Sequence, residues 1–84
     1  MMYYVYILKS LKDENFYIGY SADLKRRMSE HSDGKVESTK HCRPLKLLCY
    51  EAYLNKVEAE RREKYLKSSD GKKDLHKRLV ESLL

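Results

Sequence analysis

Residues 16–31, FYIGYSADLKRRMSEH, constrain the fold of this chain more than any other segment. The segment begins with aromatic and β-branched residues, which favour a strand. Gly19 within it lets another part of the chain or a ligand approach the backbone closely. Ser21 or Asp23 can then cap a helix that runs to the end of the segment. The sequence therefore predicts a strand of residues 16–20 that leads directly into a helix.

One side of this predicted helix combines apolar and charged side chains. Side chains spaced i, i+3, i+4 and i+7 share one side of a helix, and here these are Leu24, Arg27, Met28 and His31. The leucine and the methionine indicate that this side faces the core. An arginine and a histidine on a core-facing side need polar partners, because burying an unpaired charge is costly. They are therefore the first indication of a functional site.

Two other segments also predict strands. Residues 1–10 are apolar on both alternating faces, which is typical of a strand buried on both sides. The polar connection at residues 12–15 has the length of a hairpin loop, so this strand should pair with the strand of residues 16–20. Pro44 precedes a third strand of residues 45–53, a position at which the missing backbone N–H is tolerated.

Two further helices are predicted after the third strand. Asn55 and Glu58 have the spacing of a capping box, at the start of a helix that runs to about residue 67. Its inward side consists of Ala59, Arg62, Glu63 and Leu66. Residues 69–71, Ser-Asp-Gly, predict a break before a last helix that begins at about residue 72. The order β-β-α-β-α-α predicts an α+β fold, a small three-stranded, mostly antiparallel sheet flanked by helices.

The composition predicts one globular domain that spans residues 1–84. With 42% hydrophobic and 37% charged residues, the chain does not have the composition of a disordered tail. Its net charge of +5 indicates either a phosphate-rich partner or a solubilising, lysine-rich surface. Cys42 and Cys49 lack metal or redox spacing, and no membrane span or signal segment is evident. We therefore expect free thiols and a cytoplasmic location.

Burial alone does not explain the polar groups of Tyr6, Tyr17, Arg27, His31 and Glu63. Each has an ordinary structural interpretation. Tyrosines suit the wet edge of a core, and Arg27 and Glu63 suit an ion pair between two helices. His31 suits a helix C-terminus, because the macrodipole favours a positive charge there. Taken singly, each residue favours the structural interpretation; their order along the chain favours a site.

That order resembles the GIY-YIG nuclease domain. Tyr4-Val5-Tyr6 on the first strand and Tyr17-Ile18-Gly19 on the second resemble the motif that gives the family its name. The similarity continues through Arg27 and His31 to Glu63, and it covers about residues 3–67. The chain resembles the small stand-alone bacterial members, which are similar to the amino-terminal nuclease domain of excinuclease C.

This sequence departs from the family pattern in two respects. Tyr4 stands where the family usually has glycine, a difference that several small members tolerate. Some members also have an asparagine late in the domain, which has no counterpart here because Asn15 and Asn55 are the only asparagines. The supporting role of that asparagine is therefore vacant or is filled by another residue.

The resemblance implies a metal-dependent endonuclease that hydrolyses phosphodiester bonds in DNA, in repair or recombination. Tyr6 and Tyr17 would hold or deprotonate the attacking water, and Arg27 would bind the scissile phosphate. Glu63 would ligate one Mg²⁺ or Mn²⁺ ion, since Mg²⁺ commonly takes one or two carboxylates plus waters and substrate oxygens. A free tyrosine has a pKa of about 10 and a free histidine one of about 6.5. The sequence therefore leaves open whether Tyr6 or His31 is the general base.

Basic and hydroxyl side chains are candidate contacts to the DNA backbone where they lie in or next to the predicted loop of residues 36–43, or on the predicted helix that ends at about residue 67. The predicted contacts are Lys35, Ser38, Thr39, Lys40, Arg43, Arg61, Arg62 and Lys67. Target choice would come from DNA shape, a partner protein or a homodimer. Two alternatives remain open at this point. One is a nucleic-acid-binding module of the same fold with little turnover, and the other is an interaction protein without a nucleic-acid role.

Overall fold

A computed structural model of the chain describes residues 1–83. It contains one sheet, made of β1 (Tyr3–Ser10), β2 (Phe16–Ser21) and β3 (Leu45–Tyr53). The strand order is β2-β1-β3, and both pairings are antiparallel. The predicted α+β class and the predicted three-stranded sheet are confirmed.

Three helices and one short 3-10 turn complete the described chain. Helix α1 (Leu24–Ser32) follows β2, and helices α2 (Lys56–Lys67) and α3 (Ser69–Arg78) follow β3. The 3-10 turn is Glu81–Leu83. The order β-β-α-β-α-α is therefore also confirmed. The predicted domain extends to residue 84, which lies outside the described residues.

The central position of β1 explains why both of its faces are apolar. Val5, Tyr6, Ile7 and Leu8 are each at most 3% exposed. Because side chains alternate along a strand, Val5 and Ile7 share one face, where they form the core with residues of α2 and α3, namely Ala59, Leu66 and Leu75. Tyr6 and Leu8 lie on the opposite face, the face on which α1 packs.

Side-chain caps define where α1 and α2 begin. The Asp23 carboxylate accepts the backbone N–H of Arg26 at 3.1 Å, so Asp23 rather than Ser21 is the N-cap of α1. The side chain of Asn55 accepts the backbone N–H of Val57 at 2.8 Å at the start of α2, as the sequence predicts. These caps satisfy backbone donors that have no partner within the helix.

The predicted break at Ser-Asp-Gly is wrong, because α3 begins at Ser69 directly after α2. The Ser68 hydroxyl caps the new helix by accepting the N–H of Gly71 at 3.1 Å. Gly71 is buried inside α3, and a Cβ atom at this position would collide with the backbone carbonyl oxygen of Tyr65. Gly71 therefore allows two consecutive helices to pack closely, and it does not terminate a helix.

Two further expectations concern the thiols and membranes. Cys42 and Cys49 are both free, as predicted. Within residues 1–83, no helix has the length and hydrophobicity that crossing a membrane requires. The cytoplasmic location stays a prediction.

Candidate active site

A cavity of about 570 Å³ lies at the β2 edge of the sheet. Strands β1 and β2, all three helices and the segment between α1 and β3 contribute to its wall. The candidate catalytic residues predicted from the sequence all line it, namely Tyr6, Tyr17, Arg27, His31 and Glu63. The fold thus brings together side chains that are far apart in the sequence.

Gly19 makes room for Tyr6 in this cavity. The two residues are cross-strand neighbours on β2 and β1. A Cβ atom at Gly19 would lie only 2.6 Å from Cζ of Tyr6, so the phenol ring lies directly across the glycine. The glycine predicted to allow a close approach therefore accommodates an aromatic ring of the neighbouring strand.

The Tyr6 hydroxyl is the centre of a polar network. Nε of Arg27 donates a hydrogen bond to this hydroxyl at 3.3 Å, and Nε2 of His31 is hydrogen-bonded to it at 3.0 Å. On the other side of the imidazole ring, Nδ1 is hydrogen-bonded to the hydroxyl of Thr39 at 2.8 Å. Among the described residues, no buried side-chain nitrogen or oxygen atom lacks a partner. The network is therefore a continuous chain from a guanidinium to a buried threonine.

Burial and a nearby positive charge favour the neutral form of His31. Burial of the imidazole lowers the pKa of His31, and the positive charge of Arg27 lowers it further, against an opposing contribution from Glu30. Arg27 stays charged, because its hydrogen bond to Tyr6 raises the pKa of the guanidinium and Glu30 adds to this effect. A neutral imidazole has one nitrogen that can accept a proton.

The hydroxyl of Tyr17 has different partners from that of Tyr6. It donates to Oδ2 of Asp13 at 2.9 Å and lies 3.1 Å from the sulfur of Cys42. These hydrogen bonds, first with Cys42 and then with Asp13, raise the pKa of Tyr17 well above its ordinary value. In this arrangement Tyr17 is therefore a hydrogen-bond donor and not a base.

Glu63 is the only acidic residue among the described residues that line the cavity. Its Oε2 lies 3.3 Å from Nζ of Lys67, one helical turn further along α2, and the glutamate side chain is 18% exposed. Arg27 pairs instead with Glu30 at 3.1 Å, so the ion pair between Arg27 and Glu63 considered above is not present.

The donor set around Glu63 limits which cation it could hold. In residues 1–83 no group of three or more His, Cys, Asp or Glu side chains could hold a metal ion. Mg²⁺ is commonly bound by one or two carboxylates, with water and substrate phosphates as its other ligands. A single, partly exposed carboxylate beside an open cavity fits a cation of this kind, whereas it does not fit a metal held entirely by protein ligands.

Comparison with known proteins identifies the family. The sequence matches the GIY-YIG catalytic domain over residues 2–78. The chain belongs to the GIY-YIG family. It is 43% identical to the UPF0213 protein CPE1444 of Clostridium perfringens over 67 residues, which cover 79% of this chain and 71% of that protein. It is 39% identical to the UPF0213 protein YazA of Bacillus subtilis over 72 residues, which cover 84% of this chain and 72% of that protein.

A solved structure supports the same grouping within the GIY-YIG family. The solution NMR structure of the UPF0213 protein BH0048 from Bacillus halodurans superimposes with a TM-score of 0.56 at 38% identity, covering 89% of this chain and 82% of that one. The resemblance to the GIY-YIG nuclease domain is confirmed, and the chain belongs with the UPF0213 proteins. GIY-YIG domains form a nuclease family, and such a domain implies DNA as the substrate.

Three of the predicted DNA-contact residues line the cavity of this GIY-YIG domain, namely Ser38, Thr39 and Lys67. Thr39 is only 1% exposed, however, and its hydroxyl bonds to His31. Lys35 and Arg61 are exposed outside the cavity. The sequence analysis missed Lys72, which lines the cavity from α3. Its place at the cavity follows from the position of α3, which begins at Ser69 and not at residue 72 as the sequence predicts.

The other predicted contact residues have partners within the protein. Both Nε and Nη2 of Arg62 donate to the carboxylate of Glu51, at 2.8 and 3.1 Å. Arg43 donates to the backbone carbonyl oxygens of Lys40 and Ser32, so it clamps the segment between α1 and β3. Lys40 pairs with the neighbouring Glu37 at 3.0 Å. We infer structural roles for Arg62 and Arg43.

Proposed function

We propose that this protein is a divalent-metal-dependent endonuclease that hydrolyses phosphodiester bonds in DNA. The supporting observation is that a guanidinium, a phenol hydrogen-bonded to a neutral imidazole, and one carboxylate line the same cavity. Phosphodiester hydrolysis needs an activated water, positive charge near the phosphoryl oxygens and relief of charge on the leaving oxygen. The residues of this cavity are suited to each of these needs.

Arg27 is the proposed ligand of the scissile phosphate. Its Nε donates to Tyr6 and its Nη1 to Glu30, so the guanidinium is held in place from two sides. A guanidinium has five N–H donors, and those that remain can form a fork that matches two phosphate oxygens. The side chain is 38% exposed, so a ligand can reach it.

Tyr6 and His31 together are the proposed proton-accepting pair. The Tyr6 hydroxyl receives a hydrogen bond from Arg27, which stabilises negative charge that develops on the oxygen. The neutral imidazole of His31 lies on the other side of this hydroxyl at 3.0 Å and can take its proton. We therefore assign contact with the attacking water to Tyr6 and storage of the proton to His31. Tyr17, whose own proton is donated to Asp13, would help to hold the water as a hydrogen-bond acceptor.

Glu63 is the proposed protein ligand of one Mg²⁺ or Mn²⁺ ion. When bound, such an ion polarises phosphoryl oxygens and offsets charge on the leaving oxygen. Lys67 gives the Glu63 carboxylate a counter-charge until a cation takes that role. We expect metal binding to be weak without DNA, because the chain contributes a single carboxylate and the phosphate must contribute further oxygens.

Contacts to the DNA backbone are proposed for Lys67 and Lys72 at the cavity and for Lys35 and Arg61 outside it. Phosphate contacts position DNA without reading its sequence. We therefore propose that DNA shape, a partner protein or a homodimer directs the enzyme, in DNA repair or recombination. Ser38 has a hydroxyl at the cavity wall and is a further candidate phosphate contact.

The test is a cleavage assay with supercoiled plasmid and branched oligonucleotides, in Mg²⁺, in Mn²⁺ and in a chelator. We expect nicking or cutting with metal, none with chelator, and weaker binding as salt rises, since phosphate contacts release counterions. Tyr6→Phe should lose cleavage by about 10²-fold or more, the usual contribution of a positioned acid or base. Tyr4→Phe removes a hydroxyl from the same strand but outside the cavity, so it should retain the parent rate.

Two other outcomes would identify the alternatives. Salt-dependent DNA binding without cleavage in either metal would indicate a binding module of this fold. No DNA affinity even at low salt would indicate an interaction protein, because the basic surface would then have no phosphate partner.

Gly19→Ala should lower the cleavage rate by about 10²-fold, because misplacing a catalytic group by about 1 Å costs that much. The new Cβ would overlap the Tyr6 ring, so the phenol must move away from Arg27 and His31. The measurement is the single-turnover rate, with the melting temperature as a check on folding. In a Tyr6→Phe background the same change should add little, since the hydroxyl is already absent. Two fully additive losses would contradict this explanation.

A further inference from the structure

Thr39 lies in the segment between α1 and β3, and this segment is built to hold it in place. Backbone hydrogen bonds join Thr39 to Val36 at 3.1 Å and Cys42 to Thr39 at 2.9 Å. Val36 is itself buried, and Arg43 ties the segment to the end of α1. The Thr39 side chain is 1% exposed, and its hydroxyl lies 2.8 Å from Nδ1 of His31. A buried hydroxyl is thus aimed at the histidine nitrogen that faces away from Tyr6.

The proposed direction of the hydrogen bonds starts from Arg27, the first donor in the hydrogen-bonded series Arg27–Tyr6–His31–Thr39. A guanidinium can only donate, so Nε of Arg27 donates to the oxygen of Tyr6. In the other orientation, Nε2 of His31 and Nε of Arg27 would both donate to the one phenol oxygen, and the Thr39 hydroxyl would donate to Nδ1. In a series in which each group donates to the next, the Tyr6 hydroxyl instead donates to Nε2, which requires a neutral imidazole, in agreement with the lowered pKa of His31. The proton of that imidazole is then on Nδ1 and is donated to Thr39.

We propose that Thr39 is a positioning residue that fixes His31 in the tautomer with its proton on Nδ1, so that Nε2 is free to take the proton of Tyr6. The tautomer is a property of the free protein. Only its consequence for cleavage rests on the proposed nuclease function.

Thr39→Val removes the acceptor and keeps the shape of the side chain. A proton on Nδ1 would then be buried without a partner, which is unfavourable. The imidazole proton therefore moves to Nε2, where it donates to the oxygen of Tyr6. In that state His31 can no longer receive the proton of Tyr6. Thr39→Ser keeps the hydroxyl and should keep the original tautomer.

The direct test is the tautomer of His31 in ¹⁵N-labelled protein, measured by long-range ¹H–¹⁵N correlation of the imidazole ring without metal or DNA. The chain has three histidines, so His41→Gln and His76→Gln variants assign the signals. We expect a protonated Nδ1 in the parent and in Thr39→Ser, and a shift to protonated Nε2 in Thr39→Val. A parent with its proton on Nε2, or a Thr39→Val variant with an unchanged tautomer, overturns the proposal.

Cleavage rates then connect the tautomer with activity. Thr39→Val should cut DNA about 10²-fold more slowly at unchanged DNA affinity, a loss in the range of one acid–base contribution. Thr39→Ser should stay close to the parent rate. Glu37→Gln, an exposed change in the same segment, should match the parent. If the tautomers behave as expected and no variant, including the parent, cuts DNA, the proposed function fails while the role of Thr39 in fixing the tautomer stands. If the parent cuts and Thr39→Val cuts equally well, the catalytic role of Thr39 fails alone.

Discussion

Arg27→Ala is expected to lower the rate of DNA cleavage by about 10³-fold, the upper range for losing one preorganised donor to a developing negative charge. The guanidinium also donates to Tyr6, so its loss removes the positive partner of the phenol as well as the proposed phosphate ligand. Affinity for uncut DNA should change by no more than a few-fold, because several surface lysines and arginines share the backbone contacts. Single-turnover rates and fluorescence anisotropy in chelator measure the two effects separately.

Arg26→Ala is the matched control for this change. Arg26 is the preceding residue on α1, is exposed and does not line the cavity. The Arg26→Ala substitution removes the same charge from the same helix, so it should reduce DNA affinity slightly and leave the cleavage rate unchanged. Arg27→Lys keeps the charge without the planar fork, and we expect an intermediate rate. Equal losses in Arg26→Ala and Arg27→Ala would show that Arg27 contributes only general positive charge.

The parts of the fold that depend on local patterns were predictable from the sequence. Apolar residues on both faces of β1 indicate a strand buried on both sides. Capping residues locate two helix starts, Asn55 for α2 and either Ser21 or Asp23 for α1. The start of α3 was not predictable in this way. Ser-Asp-Gly has the composition of a turn, whereas its structure depends on how closely Gly71 packs against the backbone at Tyr65. A contact between helices thus overrides the local preference.

The candidate site shows the same difference between what local sequence patterns predict and what packing determines. The resemblance to a known motif was enough to select Tyr6, Arg27 and Glu63, which line one cavity. The partners of these residues were not predictable, because a hydroxyl in a polar segment has the same sequence signature whether it faces solvent or a histidine. The sequence therefore predicts Thr39 as a phosphate contact, although it is buried against His31. Side-chain pairing across elements is determined by packing, which the local sequence does not encode.

Glu63→Gln is the change expected to affect metal dependence most strongly. The amide keeps the size of the side chain but loses the negative charge that a divalent cation needs from the protein. We expect cleavage in Mg²⁺ to fall by about 10³-fold, an effect comparable to losing a main source of transition-state charge stabilisation. The Mn²⁺ concentration that gives half-maximal cleavage should also rise.

Metal binding itself separates this effect from a general loss of activity. Titration of Mn²⁺ into the protein with a phosphorothioate DNA that resists cleavage, followed by electron paramagnetic resonance, should show weaker binding in Glu63→Gln than in the parent. Glu60→Gln is the matched control, because it removes the same charge from α2 at a position outside the cavity. If both variants bind Mn²⁺ as the parent does, Glu63 is not the metal ligand. Loss of cleavage in Glu63→Gln would then require a different explanation, such as the release of Lys67 from its 3.3 Å ion pair into the cavity.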